Sequence, residues 1–480
     1  MDAKYGVSRW PDEKEVFRKM ENLVNQPLRH IKPEAKAKYL KYFEEKCAGS
    51  KKMIDEAKKV IPGGVQHNLA FNYPFPLVIE KAKGAYLYDI DGNRYVDYLQ
   101  AGGPTLLGSN YEPVNEKVME VVKESGPVTG LFHPYEMKLA EKIHECMPWV
   151  EMYRCLASGT EADMVAIRIA RTYTGKQIIV KVGGAYHGWS DQLVYSLHIP
   201  YTKTFEAHGI PKEASANTRE FFPGDVEGLR KVLEENEKQG GTAAVIIEPF
   251  GPESGTRPVA KDFAAKVREL CDEFKCLLIF DEVVTAFRVG PGGAQGYFNV
   301  KPDLTVFGKI VAGGYPMAGG VGGSEEIMSC IAAGVKAGKK KAYVGGTLTA
   351  NPLSCAAGYF AIDEIIKQDA AYKAGLNGDK LCDGIQKLID KYDLPFVTWN
   401  TGSIVHFEVS GVMYLSVMDP DIFSKIPERQ QYIEEFGAAL TANGVITLAG
   451  SRIYTSMADN DETIKQTLDA FDEVFSNIER

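Results

Sequence analysis

The chain contains 480 residues, of which 45% are hydrophobic and 25% are charged, and its formal net charge at pH 7 is −9. Its length predicts two or three domains, its acidic balance argues against a nucleic-acid partner, and no apolar run approaches the roughly 18 residues of a membrane-spanning helix. The N-terminus lacks the apolar segment of a signal peptide and the cysteines are scattered, so we expect a cytoplasmic protein with no membrane partner.

The first part of the chain predicts a helical arm followed by a hairpin. Residues 1–60 are rich in charge, and the apolar residues between 53 and 61 recur on one helical face until Pro62-Gly63-Gly64 ends the pattern. We interpret this arm as a packing element or a dimer contact. Residues 61–110 contain two β-type runs on either side of an Asp-Gly turn, which predicts a hairpin that belongs to a small domain.

Between residues 111 and 352, short apolar runs alternate with helical patterns. These runs do not alternate in polarity, as expected of strands buried on both faces. The alternation of strands and helices predicts an α/β fold with an open sheet, whose ligands lie beyond the carboxyl ends of the strands. We expect an irregular excursion, a candidate lid, at 199–222. The candidate strands are 154–157, 178–182, 243–247, 277–280 and 304–307, and helical patterns such as 163–173 and 263–274 lie between them.

The pattern changes after Pro352. A long helical stretch is followed by a more antiparallel arrangement, with candidate strands at 403–409, 444–448 and 453–456 and a closing helix. We therefore expect a smaller C-terminal domain at 353–480. Neither an H-E-x-x-H motif nor a Cys/His ligand spacing occurs anywhere in the chain, so we expect no metal site.

Two of the predicted strands end in the side chains that pyridoxal phosphate (PLP) chemistry needs. One strand leads to Lys309 and a glycine-rich turn, and a neighbouring strand leads to Asp281. A lysine amine forms an imine with the aldehyde of PLP, and a carboxylate keeps the pyridine nitrogen protonated so that the ring withdraws electrons. Val283 points the same way as Asp281 in an extended chain and can pack on the ring. A solvated lysine and a turn carboxylate are the structural alternatives.

A phosphate site is predicted at Ser158-Gly159-Thr160, which follows a strand and opens a helix. The N-terminus of a helix offers free backbone N–H groups and a favourable dipole to a phosphate, although such a stretch is also a common helix entry. Thr160 and Asp163 have the spacing of a capping box. Gly346 and Thr347 form a second glycine-hydroxyl element that can hold phosphate, although by itself such a stretch is only a loop.

Two further side chains are candidate contacts of a bound cofactor. Tyr186 follows the strand at 178–182 and can stack on a planar ring, or it is an ordinary loop aromatic. Glu248 ends another strand and can contact the cofactor or substrate, or it caps a turn or pairs with Arg257.

Six segments together resemble the class III, fold-type I PLP-dependent aminotransferases. The resemblance extends from about residue 50 to the end of the chain. It is strongest to the branch that holds glutamate-1-semialdehyde aminomutase and the β-amino-acid aminotransferases. The matching segments stand in the family's order, at 88–98, 158–162, 186–188, 280–283, 302–309 and 346–352.

The resemblance implies an α/β fold in which a large PLP-binding domain, here 111–352, holds a mainly parallel central sheet. A smaller α+β domain is then formed by the N- and C-terminal parts. It also implies a homodimer with shared active sites, an amino donor and a keto-acid acceptor. In this family Lys309 would bind PLP covalently and move protons. Asp281 would pair with the ring nitrogen, and Val283 and Tyr186 would pack on the ring. Gly159 and Thr160 would hold the phosphate, and Gly346 and Thr347 would reach the phosphate of the neighbouring subunit.

Departures from the family pattern concern the substrate. Gly103 stands where the aminomutase branch usually carries a bulky aromatic residue, and Ala157 replaces the usual asparagine. Residues 66–68 lack the arginine that some relatives use for a substrate carboxylate, whereas Arg452 lies near a carboxylate-binding position of some β-amino-acid enzymes. We therefore predict an aminotransferase that acts on an amino acid, with β- and ω-amino acids as candidates and Arg452 as a candidate substrate ligand.

Three alternatives to this prediction differ from it in their chemistry. An intramolecular aminomutase or an amino-acid racemase uses the same scaffold and would differ in not requiring a keto-acid acceptor. A catalytically silent PLP-binding protein would keep the cofactor contacts without turnover. A nicotinamide dehydrogenase would also fit an α/β sheet, but no G-x-G-x-x-G follows a predicted strand.

Overall fold

A computed structural model of the protein describes residues 5–70, 72–334 and 340–480. The chain divides into two compact units. The central unit consists of Glu112–Ala371 together with Tyr5, and the terminal unit consists of Gly6–Tyr111 and Tyr372–Arg480. The domain bounds expected from the sequence, with a C-terminal domain that begins at residue 353, stay a prediction.

The helices and strands are numbered in chain order. The helices are α1 Glu13–Val24, α2 Pro33–Lys46, α3 Ala48–Ala57, α4 Glu112–Ser125, α5 Pro134–Cys146, α6 Gly159–Thr174, α7 Val226–Glu237, α8 Pro252–Gly255, α9 Phe263–Glu273, α10 Gly293–Phe298, α11 Glu325–Met328, α12 Pro352–Lys367, α13 Ala370–Tyr392, α14 Ile422–Ala442 and α15 Asp461–Ser476. The strands are β1 Ile79–Lys83, β2 Tyr86–Asp89, β3 Arg94–Asp97, β4 Met152–Leu156, β5 Ile178–Val182, β6 Thr218–Phe221, β7 Thr242–Ile247, β8 Leu277–Asp281, β9 Leu304–Gly308, β10 Gly319–Gly323, β11 Val397–Thr401, β12 Ile404–Glu408, β13 Val445–Ile446 and β14 Arg452–Tyr454.

The central unit is built on a sheet of seven strands within the described residues, in the order β4-β10-β9-β8-β7-β5-β6. Strands β9, β8, β7, β5 and β6 run parallel, whereas β10 is antiparallel to both β9 and β4. Every residue of β5, β7, β8 and β9 is buried, which explains their unbroken apolar sequence. The prediction of an α/β fold with a mainly parallel sheet is confirmed.

Two strands of this sheet were not predicted. Strand β6 lies within the stretch that we expected to be irregular, at the edge of the sheet beside β5. Strand β10 reads Gly-Gly-Val-Gly-Gly, and glycine is normally depleted in strands. Its glycines are required by close packing: a Cβ at Gly319 would lie 2.6 Å from the backbone nitrogen of Ser158.

The terminal unit is an antiparallel α+β structure. The predicted hairpin is present as β2 and β3, which join β1 in one sheet, and β13 adds to it in parallel with β3. Strands β11, β12 and β14 form a second, antiparallel sheet. The apolar faces of α1 and α2 are buried in the same hydrophobic core as those of α14 and α15, so the N-terminal arm is an integral layer of this unit.

Candidate active site

Helix α6 begins directly beyond β4 and presents its first turn at the carboxyl edge of the sheet. The Ser158 side chain caps the helix by accepting a hydrogen bond from the Glu161 backbone N–H at 3.2 Å. The Glu161 carboxylate in turn accepts from the Ala157 backbone N–H at 2.9 Å. The first N–H groups of a helix, here those of Gly159 and Thr160, have no acceptor within the helix. This turn can therefore hold an anion such as phosphate.

Three segments converge on the side chain of Val283, just beyond β8. A Cβ on Gly159 would lie 2.8 Å from Val283 Cγ2, and a Cβ on Gly308 would lie 2.7 Å from Val283 Cγ1. Both separations are shorter than real Cβ contacts, so only glycine fits at either position. The first turn of α6, the end of β8 and the end of β9 are thereby held together.

Lys309 follows Gly308 at the end of β9 and is half-buried. Its backbone is left-handed, with φ of +48°, and it opens a short 3₁₀ turn that ends at Ala312. A non-glycine residue in this region costs about 1 kcal/mol or more and is found preferentially at functional sites. The turn changes the chain direction at the lysine itself, next to the packing around Val283.

Asp281 is held by two N–H donors at the end of β8. The Val283 backbone N–H donates to Asp281 Oδ1 at 3.0 Å, and Nδ1 of His187 bonds to Asp281 Oδ2 at 2.7 Å. Both side chains are buried, and burial lowers the pKa of His187 below its ordinary value because it disfavours the imidazolium ion. His187 was not predicted as a site residue, although Tyr186, its neighbour in the same motif, was.

The loop that carries Tyr186 packs against the first turn of α6. A Cβ on Gly188, whose φ is +78°, would lie 2.7 Å from Thr160 Cα. Tyr186 itself stays 46% exposed, so its ring is accessible to a ligand. The loop thus holds Tyr186 near the anion-binding turn and His187 at Asp281.

Glu248 fixes the main chain beside this loop. Its carboxylate accepts from the backbone N–H groups of Tyr186 at 3.3 Å, Glu253 at 2.8 Å and Ser254 at 2.8 Å. Burial, followed by the nearby charge of Asp281, raises the pKa of Glu248 to about 8. Of the roles that the sequence left open for Glu248, the geometry shows that of a cap for backbone donors.

Lys181 on β5 binds the main chain of the same loop, a contact that was not predicted. Its ammonium group is fully buried and donates to the carbonyl oxygens of Ala185 at 2.8 Å, Leu193 at 3.3 Å and Tyr195 at 2.7 Å. Burial lowers its pKa to about 8. A lysine within an apolar strand gives no sequence signal that its partners are carbonyl groups of a later loop.

Asp163 is a further buried acid that the sequence analysis assigned differently. The capping-box pairing of Thr160 with Asp163 is wrong, because Ser158 and Glu161 form the cap. Asp163 lies on the inner face of α6 and is 1% exposed. One of its oxygens, a ring nitrogen of His187 and an oxygen of Asp281 lie within 4.8 Å of one another.

Three of the predicted site residues make none of the contacts described above. Gly346 and Thr347 are exposed at the surface of the central unit, where the Thr349 hydroxyl donates to the Gly346 carbonyl. Arg452 lies on β14 of the terminal unit, where it is buried and its guanidinium donates to the Tyr454 hydroxyl at 3.5 Å. Their predicted roles stay predictions.

The cluster at the end of the central sheet fits PLP. The glycine-lined turn of α6 leaves backbone N–H groups for a phosphate. Asp281 is a carboxylate for a ring nitrogen, and Lys309 supplies a primary amine on the adjacent strand. The overlaps that a Cβ would make at Gly159 and Gly308 show that this geometry depends on glycine at both positions.

Among the described residues, no helix combines the length and the apolar sequence that spanning a membrane requires.

Comparison with known proteins gives the same assignment. A family model described as Aminotransferase class-III matches residues 69–475. Glutamate-1-semialdehyde 2,1-aminomutase 1 of Lachnoclostridium phytofermentans is 36% identical over 440 residues, covering 88% of this chain and 98% of that protein. An omega-transaminase from Sphaerobacter thermophilus superposes with a TM-score of 0.80 at 27% identity, over 91% of this chain and 99% of its own.

A solved transaminase with PLP bound is also similar, with a TM-score of 0.78 and 26% identity over 90% of this chain and 97% of its own. The matched family region contains every residue of the cluster described above. The chain therefore belongs to the class III aminotransferases, and it is a PLP-dependent enzyme that moves an amino group between an amino acid and a keto acid or aldehyde.

Proposed function

We propose that the enzyme transfers the amino group of a β- or ω-amino acid to a separate keto-acid acceptor, with Lys309 and Asp281 as the central groups. The observation that supports the roles of Lys309 and Asp281 is the packing of Gly159 and Gly308 on Val283, which holds the anion-binding turn, the acid-bearing strand and the lysine-bearing strand in one cluster. The likeness to the omega-transaminase supports the donor class.

Each residue of the cluster then has a defined task. When bound, PLP withdraws electrons from the amine-bearing carbon of the donor. Ser158, Gly159 and Thr160 would bind the phosphate, and Asp281 would hold a proton at the ring nitrogen.

Val283 and the exposed ring of Tyr186 would contact the cofactor ring, and Glu248 fixes the main chain that carries Tyr186. Lys309 would hold the cofactor through its Nζ. The same amine would accept and return the proton of the donor's amine-bearing carbon by general acid–base catalysis.

The test is the covalent attachment itself together with turnover. Borohydride reduction of the holoenzyme should fix PLP on the peptide that contains Lys309, detected by mass spectrometry. Lys309→Ala should still bind PLP through the phosphate and ring contacts but should lose turnover by at least about 10³-fold. Label on a different lysine, or full turnover by the variant, would overturn the proposal.

We also propose that the enzyme is a homodimer with shared active sites. In this arrangement Gly346 and Thr347 bind the phosphate of the neighbouring subunit. Their exposure supports this role, and large apolar side chains of the same unit are also exposed and would be available to a subunit contact. These are Leu131, Phe132, Tyr343 and Leu348. Sedimentation should give a dimer. Thr347→Ala should weaken PLP binding about tenfold and leave the dimer intact.

We propose a cytoplasmic location from the scattered cysteines, all of them free thiols.

Arg452 is proposed as the ligand of a substrate carboxylate. Replacing Arg452 by Leu should raise KM for amino acids and leave KM for simple amines unchanged. An equal effect on both donors would show that the residue is structural.

Intramolecular amino transfer is the second candidate function, because a relative at 36% identity is a glutamate-1-semialdehyde aminomutase. The two functions differ in one requirement. Transamination needs a keto-acid acceptor in every cycle, whereas an aminomutase returns the amino group to its own substrate. A donor panel assayed with and without pyruvate or 2-oxoglutarate separates them.

A further inference from the structure

The acid Asp163 on α6 has no role in the function proposed above. Its carboxyl is buried beside the pair formed by Asp281 and His187, with ligand atoms of all three groups within 4.8 Å of one another. Asp163 Oδ1 and His187 Nε2 are both buried without a hydrogen-bond partner in the described part of the chain. Two buried carboxyl groups at this distance cannot both ionise without a large electrostatic penalty.

The hydrogen bonds of the cluster decide which acid keeps the proton. One Asp281 oxygen accepts from the Val283 backbone N–H and the other is bonded to His187 Nδ1, so both oxygens of Asp281 already have a donor. Asp163 Oδ1 has no comparable donor. The proton shared by the two acids therefore resides on Asp163.

The other charges that face Asp163 agree with this assignment. Asp281 on β8 and Glu248 beyond β7 raise its pKa in addition to burial, and Lys309 beyond β9 and Lys181 on β5 oppose the shift. Burial is the largest cause, and the net direction is well above the ordinary value for an aspartic acid.

We propose that Asp163 is a positioning residue that stays protonated and keeps His187 oriented toward Asp281. A neutral imidazole that carries its proton on Nδ1 has a free acceptor at Nε2. Because neither Asp163 Oδ1 nor His187 Nε2 has a hydrogen-bond partner in the described chain, the O–H of Asp163 would reach this acceptor through one bridging water and so fix the tautomer that donates to Asp281. Asp281 would then be held in position to face the ring nitrogen of PLP. This inference rests on the proposed function of Asp281.

The experiment compares two replacements of nearly the same size. Asp163→Asn is neutral and keeps an N–H donor, as the protonated acid does. Asp163→Leu is neutral and has no donor. Each holoenzyme is reconstituted with PLP labelled with ¹⁵N in the ring, and the chemical shift of that nitrogen is followed against pH. The dissociation constant of PLP is measured in parallel by titrating the apoprotein, and circular dichroism shows that each variant is folded.

We expect Asp163→Asn to match the wild type in both measurements. In Asp163→Leu the ring nitrogen should lose its proton about one pH unit lower, and PLP should bind about tenfold more weakly, which is the equivalent of one pKa unit. A folded Asp163→Leu that is indistinguishable from wild type would overturn the inference. So would an Asp163→Asn variant shifted as far as Asp163→Leu, because the ionised carboxylate would then be the required form.

A third outcome concerns metal. The same three side chains have the spacing of a cation site, and a ring-nitrogen signal that changed on addition of EDTA would also overturn the inference. The proposed function fails in a different way. If Asp281→Asn left the ring-nitrogen signal unchanged, Asp281 would not be its partner, whatever the Asp163 variants showed.

Discussion

Val283 is the side chain on which three segments of the central unit meet. Gly159 from the first turn of α6 and Gly308 from the end of β9 both pack on its methyl groups. The positions of the anion-binding turn and of Lys309 therefore depend on the volume of the Val283 side chain and on the absence of a side chain at Gly159 and Gly308. Small changes here should move the reacting groups without touching them.

Replacing Gly308 by Ala tests this dependence. The new Cβ would lie 2.7 Å from Val283 Cγ1, so the end of β9 must shift, at a cost of about 2 kcal/mol in the free energy of unfolding. A displacement of Lys309 by about 1 Å should lower kcat/KM roughly 100-fold. Urea denaturation and steady-state kinetics measure the two effects.

A second-site change provides the check on this prediction. Val283→Ala removes both methyl groups and should recover most of the stability and part of the activity in the double variant. Gly437→Ala in the terminal unit, where the nearest atom would be 3.4 Å away, is the matched control and should be nearly neutral. A double variant no better than Gly308→Ala would show that the strain lies elsewhere.

Helix α6 joins folding and cofactor binding in a single element. Its outer end is closed by a C-cap glycine, and its inner end is capped by Ser158 next to the amides that the phosphate would use. The same helix carries Asp163 four residues beyond Gly159. The helix thus supplies an anion site at its tip and an acid on its inner face.

Ser158→Ala should therefore affect two quantities. Loss of the cap should lower the free energy of unfolding by about 1 kcal/mol, and the frayed first turn should weaken PLP binding. Asp225→Ala is the matched control, because Asp225 caps α7 by accepting from Gly228 at 2.8 Å and lies outside the cluster. It should lose a similar amount of stability with PLP affinity unchanged. Equal effects of the two changes on PLP would contradict a special role for the α6 turn.

At the scale of the whole molecule, buried carboxyl groups in both units set the response to pH. Burial raises the pKa of Glu248 to about 8, that of Glu282 to about 7 and that of Asp459 to about 7. These acids keep their protons in the folded chain at pH values where the unfolded chain has released them. Their contribution to stability is complete below their ordinary pKa values and is lost as the pH rises through 7 to 8.

We therefore expect the midpoint of thermal unfolding to fall by several degrees as the pH is raised from about 5 to about 8. His187, whose pKa is lowered, opposes this trend on the acidic side. Glu282→Gln should flatten the profile, since a neutral amide has no proton to lose, and the exposed Glu269→Gln should not. A midpoint that rises over this range in the wild type would contradict the prediction.

Much of this protein follows from its sequence alone. Unbroken apolar runs that end in Asp281 and Lys309 predict a sheet with its chemistry at one edge, because buried parallel strands leave only their ends for polar groups. The Asp-Gly turn predicts the hairpin of β2 and β3 for an equally local reason. Local signals also identify Gly159 as the start of a helix.

Tertiary structure decided what depends on residues far apart in the chain. Strand β10 reads as a loop until its glycines are seen against Ser158. Lys181 reads as a stray charge until three carbonyl groups of a later loop surround it. Asp163 reads as a helix cap until α6 turns it toward His187 and Asp281. In each case the deciding quantity is the distance or burial created by packing, which no short stretch of sequence contains.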